Sequence, residues 1–453
     1  MKLVYAENYG CAANKADLEI MLALLAERGY SRCGDPGLAD LILVNSCGVK
    51  GQTEERIKSR LARLRPLGKP VIVSGCLPRI NLAAVMGALP EFAAAMDPLS
   101  VDRVGEIAAR AEAGERNIIC FSNRPPLKPA LPRERLNGLI EILQISEGCP
   151  LNCSYCSTKL ARGDLFSYPL EELLERARRA AGEGVMEIWI TAQDTGAYGA
   201  DIGSSLVDLL EGMTSIPGDF KIRVGMMNPM YAKRMLDDLL RIYGDPKVYK
   251  FIHIPVQSGS ERVLGLMRRP YSPSDFAEVV GAFRERHPDI TVATDVIVGF
   301  PGEGEEDFEE TVELIEETRP DIVNISKFTP RPGTEAYWME RVDSRVVGRR
   351  SKFLTGLCRG ISYANNLRYL GRELWATFVE GCGGRSVGRL ENYRKVMVDR
   401  PDLVGASGLV RIEGVGPRGF MGSLASIGGR GGGPALRCPI SRSSPLSSPP
   451  RPS

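Results

Sequence analysis

The sequence predicts an α/β protein in three parts: an amino-terminal parallel α/β sandwich, a central partial barrel of six strand–helix units, and a small carboxy-terminal β-barrel. Three observations predict it. Apolar runs of strand length alternate with helical periodicities from residue 3 to about residue 366. Asn123–Arg133, with four prolines and no periodicity, interrupts that alternation. After residue 371 the helical patterns stop and short strand-like runs take over. The expected boundaries are 1–122, a linker over 123–138, 139–366, 371–424 and a tail over 425–453.

In the first part, Leu3–Ala6 leads into a helix over Ala16–Arg28, where Leu18, Met21, Leu22 and Leu25 recur at helical spacing. Leu41–Asn45 precedes the helix Thr53–Leu64, and Val71–Ser74 precedes a less regular stretch. These three units predict a small parallel sheet with helices on its faces. A cysteine stands just past each strand: Cys11, Cys47 and Cys76. Parallel strands put their carboxyl ends on one edge, about 4.8 Å apart. Cysteines at equivalent strand ends therefore converge despite their separation in sequence. Core cysteines have no reason to repeat at one point of three successive units. The pattern favours a three-thiolate cluster site, with zinc as the alternative. Cys33 and Cys120 lack this placement and read as ordinary thiols.

Strands are expected over Leu139–Ile145, Val185–Thr191, Phe220–Val224, Val248–Ile254, Ile290–Val298 and Ile322–Ser326. Between them, Leu170, Leu173, Leu174, Ala177 and Ala181 form one apolar stripe after Pro169. Ser272-Pro-Ser-Asp275 resembles a capping box, and Phe308, Val312 and Ile315 repeat the helical period. Six units are too few for a full eight-fold barrel, so a laterally open one follows. Directly after its first strand comes Glu147-Gly-Cys-Pro-Leu-Asn-Cys-Ser-Tyr-Cys-Ser157, with Cys149, Cys153 and Cys156 in CxxxCxxC spacing. Three thiolates on one short loop can hold three irons of a cubane and leave the fourth open for chemistry. A zinc half-site or buried thiols are the plainer alternatives. Polar residues gather past the other strand ends: Gln193-Asp194, Asn228, Gln257-Ser258-Gly259 and Gly299–Glu303. His253 lies at a strand end, where a site role and a structural one are equally open, and a hydrolase-type triad has little support.

Arg341–Arg372 reads as a basic helix with Arg349, Arg350, Lys352 and Arg359 on a solvated face. Gly371–Val379, Val387–Val398 and Leu409–Val415 read as strands of the small barrel. There Arg385, Arg389, Arg394, Lys395 and Arg400, interleaved with Glu391, Tyr393 and Asp399, suggest a positive face for an RNA backbone. An ordinary solvated surface is the alternative. From Ala425 onward the composition turns to glycine, serine, proline and arginine without an acidic residue, and disorder is expected.

Composition bounds the rest. Hydrophobic content of 43% and charged content of 25% are those of a globular chain, and a net charge of +2 neither demands nor excludes nucleic acid. No apolar run approaches the roughly 20 residues of a membrane span, so no membrane partner is expected. Met1–Glu7 reads as a first strand, not an export signal. The 11 cysteines are then expected as thiols or metal ligands, and the cytoplasm as the location.

The sequence resembles the radical S-adenosylmethionine methylthiotransferases over about residues 1–420. The CxxxCxxC loop with Tyr155, the cysteines in Tyr-Gly-Cys-Ala-Ala-Asn14, Asn-Ser-Cys47 and Ser-Gly-Cys76, and Phe328-Thr-Pro-Arg-Pro-Gly-Thr334 carry the likeness. Val49-Lys-Gly-Gln-Thr-Glu54, Gln193-Asp-Thr-Gly-Ala-Tyr198, Val224-Gly-Met-Met-Asn-Pro229 and Asn324-Ile-Ser-Lys-Phe328 are similar to the archaeal and eukaryotic branch acting on threonylcarbamoyladenosine in tRNA. The resemblance implies a radical SAM domain, a TRAM-like RNA-binding barrel, and methylthio transfer to carbon 2 of that nucleoside beside the anticodon. It implies two 4Fe-4S clusters: one on Cys149, Cys153 and Cys156, whose electron cleaves S-adenosylmethionine to a 5′-deoxyadenosyl radical, and one on Cys11, Cys47 and Cys76 that carries sulfur. It also implies a cofactor pocket of Tyr155, Gln193, Asp194, Gln257, Ser258, Ile297 and Gly299. The implied partners are tRNA, S-adenosylmethionine, a reductant protein and a sulfur donor. The tail departs from the family, whose last module ends in a further strand, so a shifted reading frame or an extension puts completion of the small barrel in question. Alternative substrates are isopentenyl-type adenosine or a ribosomal protein side chain; an alternative of another class is an iron–sulfur electron-transfer or scaffold protein.

Overall fold

In the computed structural model, which describes residues 2–49 and 51–428, the chain forms two compact units. The first holds the residues up to Pro126 together with Pro132–Glu134, and the second holds Leu127–Leu131 and Arg135–Gly428.

The first unit is a parallel sheet of β1 (Lys2–Asn8), β2 (Tyr30–Arg32), β3 (Leu41–Ser46), β4 (Val71–Gly75), β5 (Ala94–Met96) and β6 (Ile118–Cys120), in the order β2-β1-β3-β4-β5-β6. It is flanked by α1 (Ala12–Ala26), α2 (Gly51–Leu64), α3 (Cys76–Ile80), α4 (Leu82–Ala88) and α5 (Val104–Glu112). The three expected strands are present and central. Three more flank them, each of three residues and so too short to show a period. β3 and β4 are buried along their whole length, which explains their unbroken apolar runs.

The second unit begins inside the stretch expected to be a linker. Leu127–Leu131 is folded into it, and Lys128 is fully buried in an ion pair with Glu147. The proline content hid a short helical turn with an anchored cation. β7 (Ile140–Gln144) opens the barrel, and the two-residue strands β8 (Ser146–Glu147) and β9 (Phe166–Ser167) pair on either side of the cysteine loop and α6 (Ser157–Arg162). Then follow α7 (Leu170–Gly182), β10 (Glu187–Thr191), α8 (Leu206–Thr214), β11 (Lys221–Arg223), α9 (Pro229–Arg234), α10 (Leu236–Ile242) and β12 (Phe251–His253). α11 (Glu261–Leu266), α12 (Pro273–Arg286), β13 (Thr291–Val298), α13 (Glu305–Thr318), β14 (Ile322–Lys327) and α14 (Ser344–Leu367) complete it.

The strands β11-β10-β7 and β12-β13-β14 form two parallel ladders, and parallel bridges Ile222↔Val248 and Met226↔His253 join β11 to β12. All six expected strands are thus present in sequential order, with no pairing of β7 to β14 among the described residues. The arrangement is the laterally open six-fold barrel. Register alternation sends Ile188, Ile222, Val292 and Val296 into the outer helical core, while Trp189, Arg223, Phe251, His253 and Asp295 take the opposite, inner face. The Ser272 capping box is formed: the Ser272 hydroxyl accepts from the Asp275 amide, and the Asp275 carboxylate accepts from the Ser272 amide.

A five-stranded closed barrel ends the described chain: β15 (Glu373–Cys382), β16 (Arg385–Leu390), β17 (Lys395–Val398), β18 (Ser407–Gly416) and β19 (Gly419–Ile427), ordered β15-β16-β17-β19-β18. Two expectations need correction. Val387–Val398 is not one strand but two, turned at Tyr393, whose φ of +63° lies in the left-handed region. The compositional break at Ala425 does not leave the barrel unclosed, because β19 runs to Ile427 and pairs with both β17 and β18. The rest of the expected tail, from residue 429, lies outside the described residues.

The expected basic faces also change. Arg389 and Arg394 are buried. Arg389 pairs with Glu187 at 3.1 Å and Arg394 donates to Asn366 at 2.5 Å, so both join the small barrel to the larger one. Arg350 is buried on Glu303 at 2.7 Å instead of being solvated. Arginine alternating with aromatic and acidic residues looks the same in sequence whether it faces water or a neighbouring domain.

Candidate active site

The first unit brings two of its three strand-end cysteines to one acceptor. Cys11 caps α1, and its thiol lies 3.3 Å from Asn14 Oδ1; Cys76 opens α3, and its thiol lies 3.9 Å from the same oxygen. Cys47 follows β3 directly, between them in the sheet. Asn14 is buried and donates to the Ser46 carbonyl at 3.0 Å, which ties the α1 start to the β3 end. Gly75, at φ +93°, passes so close that a Cβ there would sit 2.3 Å from that carbonyl.

The loop between β8 and α6 is closed by a buried ion network. Glu147, before the first cysteine, accepts from Arg162, after the last one, at 2.5 Å, and also from Lys128 and Gln144. Gly148, at φ +68°, passes against the Asp164 carbonyl, where a Cβ would come within 1.9 Å. Lys159 donates to the Cys149 carbonyl at 2.5 Å. Ser154 holds the middle of the loop through its amide to the Met267 carbonyl at 3.1 Å, and Cys156 caps α6. Burial pushes the Cys149 thiol up to about 12, with Asp194 and the other two cysteines adding to it. Burial also raises Cys153, opposed by the Arg269 guanidinium.

The residues expected to line the pocket divide. Tyr155 packs edge-on to Phe300, ring centroids 6.0 Å apart, and its hydroxyl accepts from Arg269 Nε at 3.2 Å. Asp194 is buried and accepts from the Asn228 and Gly196 amides, both at 3.1 Å, yet burial lifts its carboxyl to about 6. Gln193 Oε1 and Asn228 Nδ2 are buried without a protein partner. Gln257 sits at φ +70° and bridges to β13, its carbonyl accepting from Ile297. Gly299, also left-handed at φ +74°, donates to Glu303 at 3.0 Å. Ser258 differs: its hydroxyl is buried, 3.4 Å from the Thr311 hydroxyl, and accepts from the Ser260 amide, so it serves the packing of α13.

Among the described residues no three His, Cys, Asp or Glu side chains converge on a single ion. Three thiols in CxxxCxxC spacing fit a cubane with one open iron, and the orphaned Gln193 and Asn228 atoms beside Asp194 fit a polar ligand next to it.

Sequence reasoning missed Arg269. Burial works against its charge, but Tyr155, Tyr271, Cys153 and Asp194 around it hold it protonated. It follows α11, far from the cysteines in sequence, with no motif to mark it. His253 is now placed on the inner face, 3.0 Å from Asp295 Oδ2, whose other oxygen accepts from Asn324 at 2.7 Å. His287 bonds the Leu240 carbonyl at 2.9 Å and is structural.

A model of the Radical SAM superfamily matches residues 143–315, and one described as Uncharacterized protein family UPF0004 matches residues 3–96. A probable threonylcarbamoyladenosine tRNA methylthiotransferase from Pyrococcus horikoshii is 42% identical over 401 residues, 88% of this chain and 94% of that protein. The chain belongs to the threonylcarbamoyladenosine tRNA methylthiotransferase family. A threonylcarbamoyladenosine tRNA methylthiotransferase from Drosophila pseudoobscura is 40% identical over 432 residues, covering 93% of this chain and 77% of that one. Among solved structures, the radical S-adenosylmethionine methyltransferase TsrM from Kitasatospora setae, with tryptophan and a SAM analogue bound, matches with a TM-score of 0.56 at 16% identity, over 74% of this chain and 75% of that one. That likeness concerns the fold alone. As a member of this methylthiotransferase family the protein is a radical SAM enzyme, and its cofactors are S-adenosylmethionine and 4Fe-4S clusters.

Proposed function

We propose that the protein transfers a methylthio group to carbon 2 of N6-threonylcarbamoyladenosine beside the anticodon of a tRNA. The observation that carries this reading is the pair of cysteine sets in a chain 42% identical to a relative of that name over 94% of its length. When bound, the loop cluster supplies the electron that cleaves S-adenosylmethionine, chemistry no acid–base side chain can perform.

In this reading residues 1–122 carry the second cluster on Cys11, Cys47 and Cys76, and Asn14 positions two of these thiols. Residues 139–366 carry Cys149, Cys153 and Cys156, and the Glu147–Arg162 pair fixes the loop that presents them. Tyr155, Gln193, Asp194, Gln257, Ile297 and Gly299 surround the cofactor, with the Gln193 and Asn228 amides offering the polar contacts that no protein group uses. Ser258 shapes this wall from behind. The inner barrel face, with His253 and Asp295, receives the target base. The small barrel, over 371–424 and on to Ile427, lies against the larger one and positions RNA. Electrons and sulfur are consumed, so a reductant protein and a sulfur donor complete the system. The cytoplasm, where thiols stay reduced, is its location.

The test is anaerobic reconstitution with iron and sulfide, then incubation with reductant, S-adenosylmethionine and a tRNA bearing threonylcarbamoyladenosine. Mass spectrometry of the digested tRNA should show the methylthio nucleoside. Release of 5′-deoxyadenosine with no change in nucleoside mass would refute the substrate.

A further inference from the structure

Cationic side chains on the exposed helices of this protein generally stand beside acids. Lys58 pairs with Glu55 on α2, Arg178 with Glu175 on α7, and Arg241 with Asp238 on α10. α14 is different. Its 24 residues hold five cations and no Asp or Glu. Arg350 is turned inward onto Glu303 and Glu305. The other four, Arg345, Arg349, Lys352 and Arg359, are exposed and form no ion pair among the described residues.

Their spacing is the argument. Positions 345, 349, 352, 356, 359 and 363 advance in steps of four and three, which is one face of an α-helix. Gly356 leaves that face open, Tyr363 ends it at 45% exposure, and Phe353 stands beside it at 58%. The stripe is about 27 Å long at 1.5 Å per residue. Glu309 and Glu313 of α13 share a shallow depression with Arg349, but neither forms an ion pair with it. A row of like charges without acids costs helix stability, so the sequence carries a cost that a solvated face does not require.

The two ends of α14 say where this row leads. At its start Val347 packs on Gly299, at the carboxyl end of β13, and Arg350 grips the loop that follows. At its end Ser362 and Asn366 donate to the Pro417 and Gly416 carbonyls of the small barrel, at 2.8 and 2.6 Å. The stripe therefore runs from the small barrel to the strand-end side of the site. Of the small barrel's exposed cations, Arg385 is paired with Asp399, Lys395 with Glu380 and Arg400 with Asp402, while Arg411 and Arg418, by the β18–β19 hairpin, form no ion pair among the described residues.

We propose that the outer stripe of α14 is the ridge on which the sugar–phosphate backbone of the RNA docks. The chemistry is sequence-independent: four cations take phosphates, and Phe353 and Tyr363 offer faces for unpaired bases. This rests on the reading of the substrate as tRNA.

Binding of a threonylcarbamoyladenosine-bearing tRNA to the reconstituted full chain is measured from about 0.05 to 0.2 M salt. Replacing all four cations (R345Q, R349Q, K352Q and R359Q) should lower the slope of log affinity against log salt by about 3, and affinity at about 0.1 M salt on the order of a hundredfold. A melting temperature like the wild type's shows that the variant is folded; should it fall, the pairs R345Q/R349Q and K352Q/R359Q should each give about half of that decrease in slope. The control R178Q and R241Q, exposed cations paired with acids on α7 and α10, should leave the slope in place. An unchanged slope in the α14 variants, or an equal loss in the control, overturns the proposal while leaving the substrate reading intact. A wild-type chain that neither binds nor modifies this tRNA removes the substrate reading and the proposal with it.

Discussion

The two cysteine sets are built in opposite ways. Cys11, Cys47 and Cys76 come from three strand ends and share one sheet edge only once a parallel sheet has formed. Cys149, Cys153 and Cys156 share one loop and are neighbours before any folding. The first set is braced by a neutral amide, Asn14, and the second by a buried carboxylate between two cations, Glu147 with Arg162 and Lys128. A site assembled from distant strands inherits its rigidity from the sheet. A loop has none of its own, so it must be closed by something strong.

The largest expected effect separates their tasks. Cys153→Ala should abolish release of 5′-deoxyadenosine, whereas Cys47→Ala should leave release in place and stop methylthio product; equal loss of release in both would erase the distinction. Next comes the brace of the loop. Glu147→Ala takes the carboxylate away from two buried cations and should cost about 3–5 kcal/mol in chemical denaturation, and reduce the iron retained; a loss below about 1 kcal/mol would mean the loop stands by itself.

Asp194 sharpens the comparison from the ligand side. Its folded carboxyl titrates at about 6 against an ordinary 3.8, because burial penalises the anion. Its contribution to stability is therefore fully present below about pH 4 and is lost as pH rises through about 6, a swing of about 3 kcal/mol. In the iron-free protein, Asp194→Asn should remove that swing from the variant, so the stability difference between variant and wild type should change with pH by about 3 kcal/mol, and a difference flat with pH would contradict the burial. The smallest effect belongs to the neutral brace. Asn14→Ala should cost about 1–3 kcal/mol and lower the iron of the first unit alone, leaving 5′-deoxyadenosine release unchanged.

Much of this was legible in the sequence because long elements announce themselves. Four of the six barrel strands and the α7 and α12 stripes follow from period and caps, and β11 and β12, only three residues each, stand within the longer apolar runs Phe220–Val224 and Val248–Ile254. What stayed hidden was short or relational. β2, β5 and β6 have three residues each, and β19 crosses a compositional break that marks no structural boundary at Ala425. Lys128 lay in a proline-rich stretch whose look is that of a linker, yet its ammonium is wholly enclosed. Among the small barrel's arginines, period and charge could not tell Arg389, sealed against Glu187, from Arg385, paired in water. At the site, motif spacing gave the cysteines and strand-end polarity gave Asp194, but Arg269 is brought to Tyr155 only by tertiary packing.

Tyr393 carries a last consequence. Its ring, presented by the β16–β17 turn, meets Tyr249 at 5.0 Å and Phe251 at 4.9 Å on the inner face near the strand starts. There Arg389 stacks on it and Glu187 locks the corner. The chamber thus has a floor, so a nucleoside reaches it past the strand ends or through the open flank, and not from beneath.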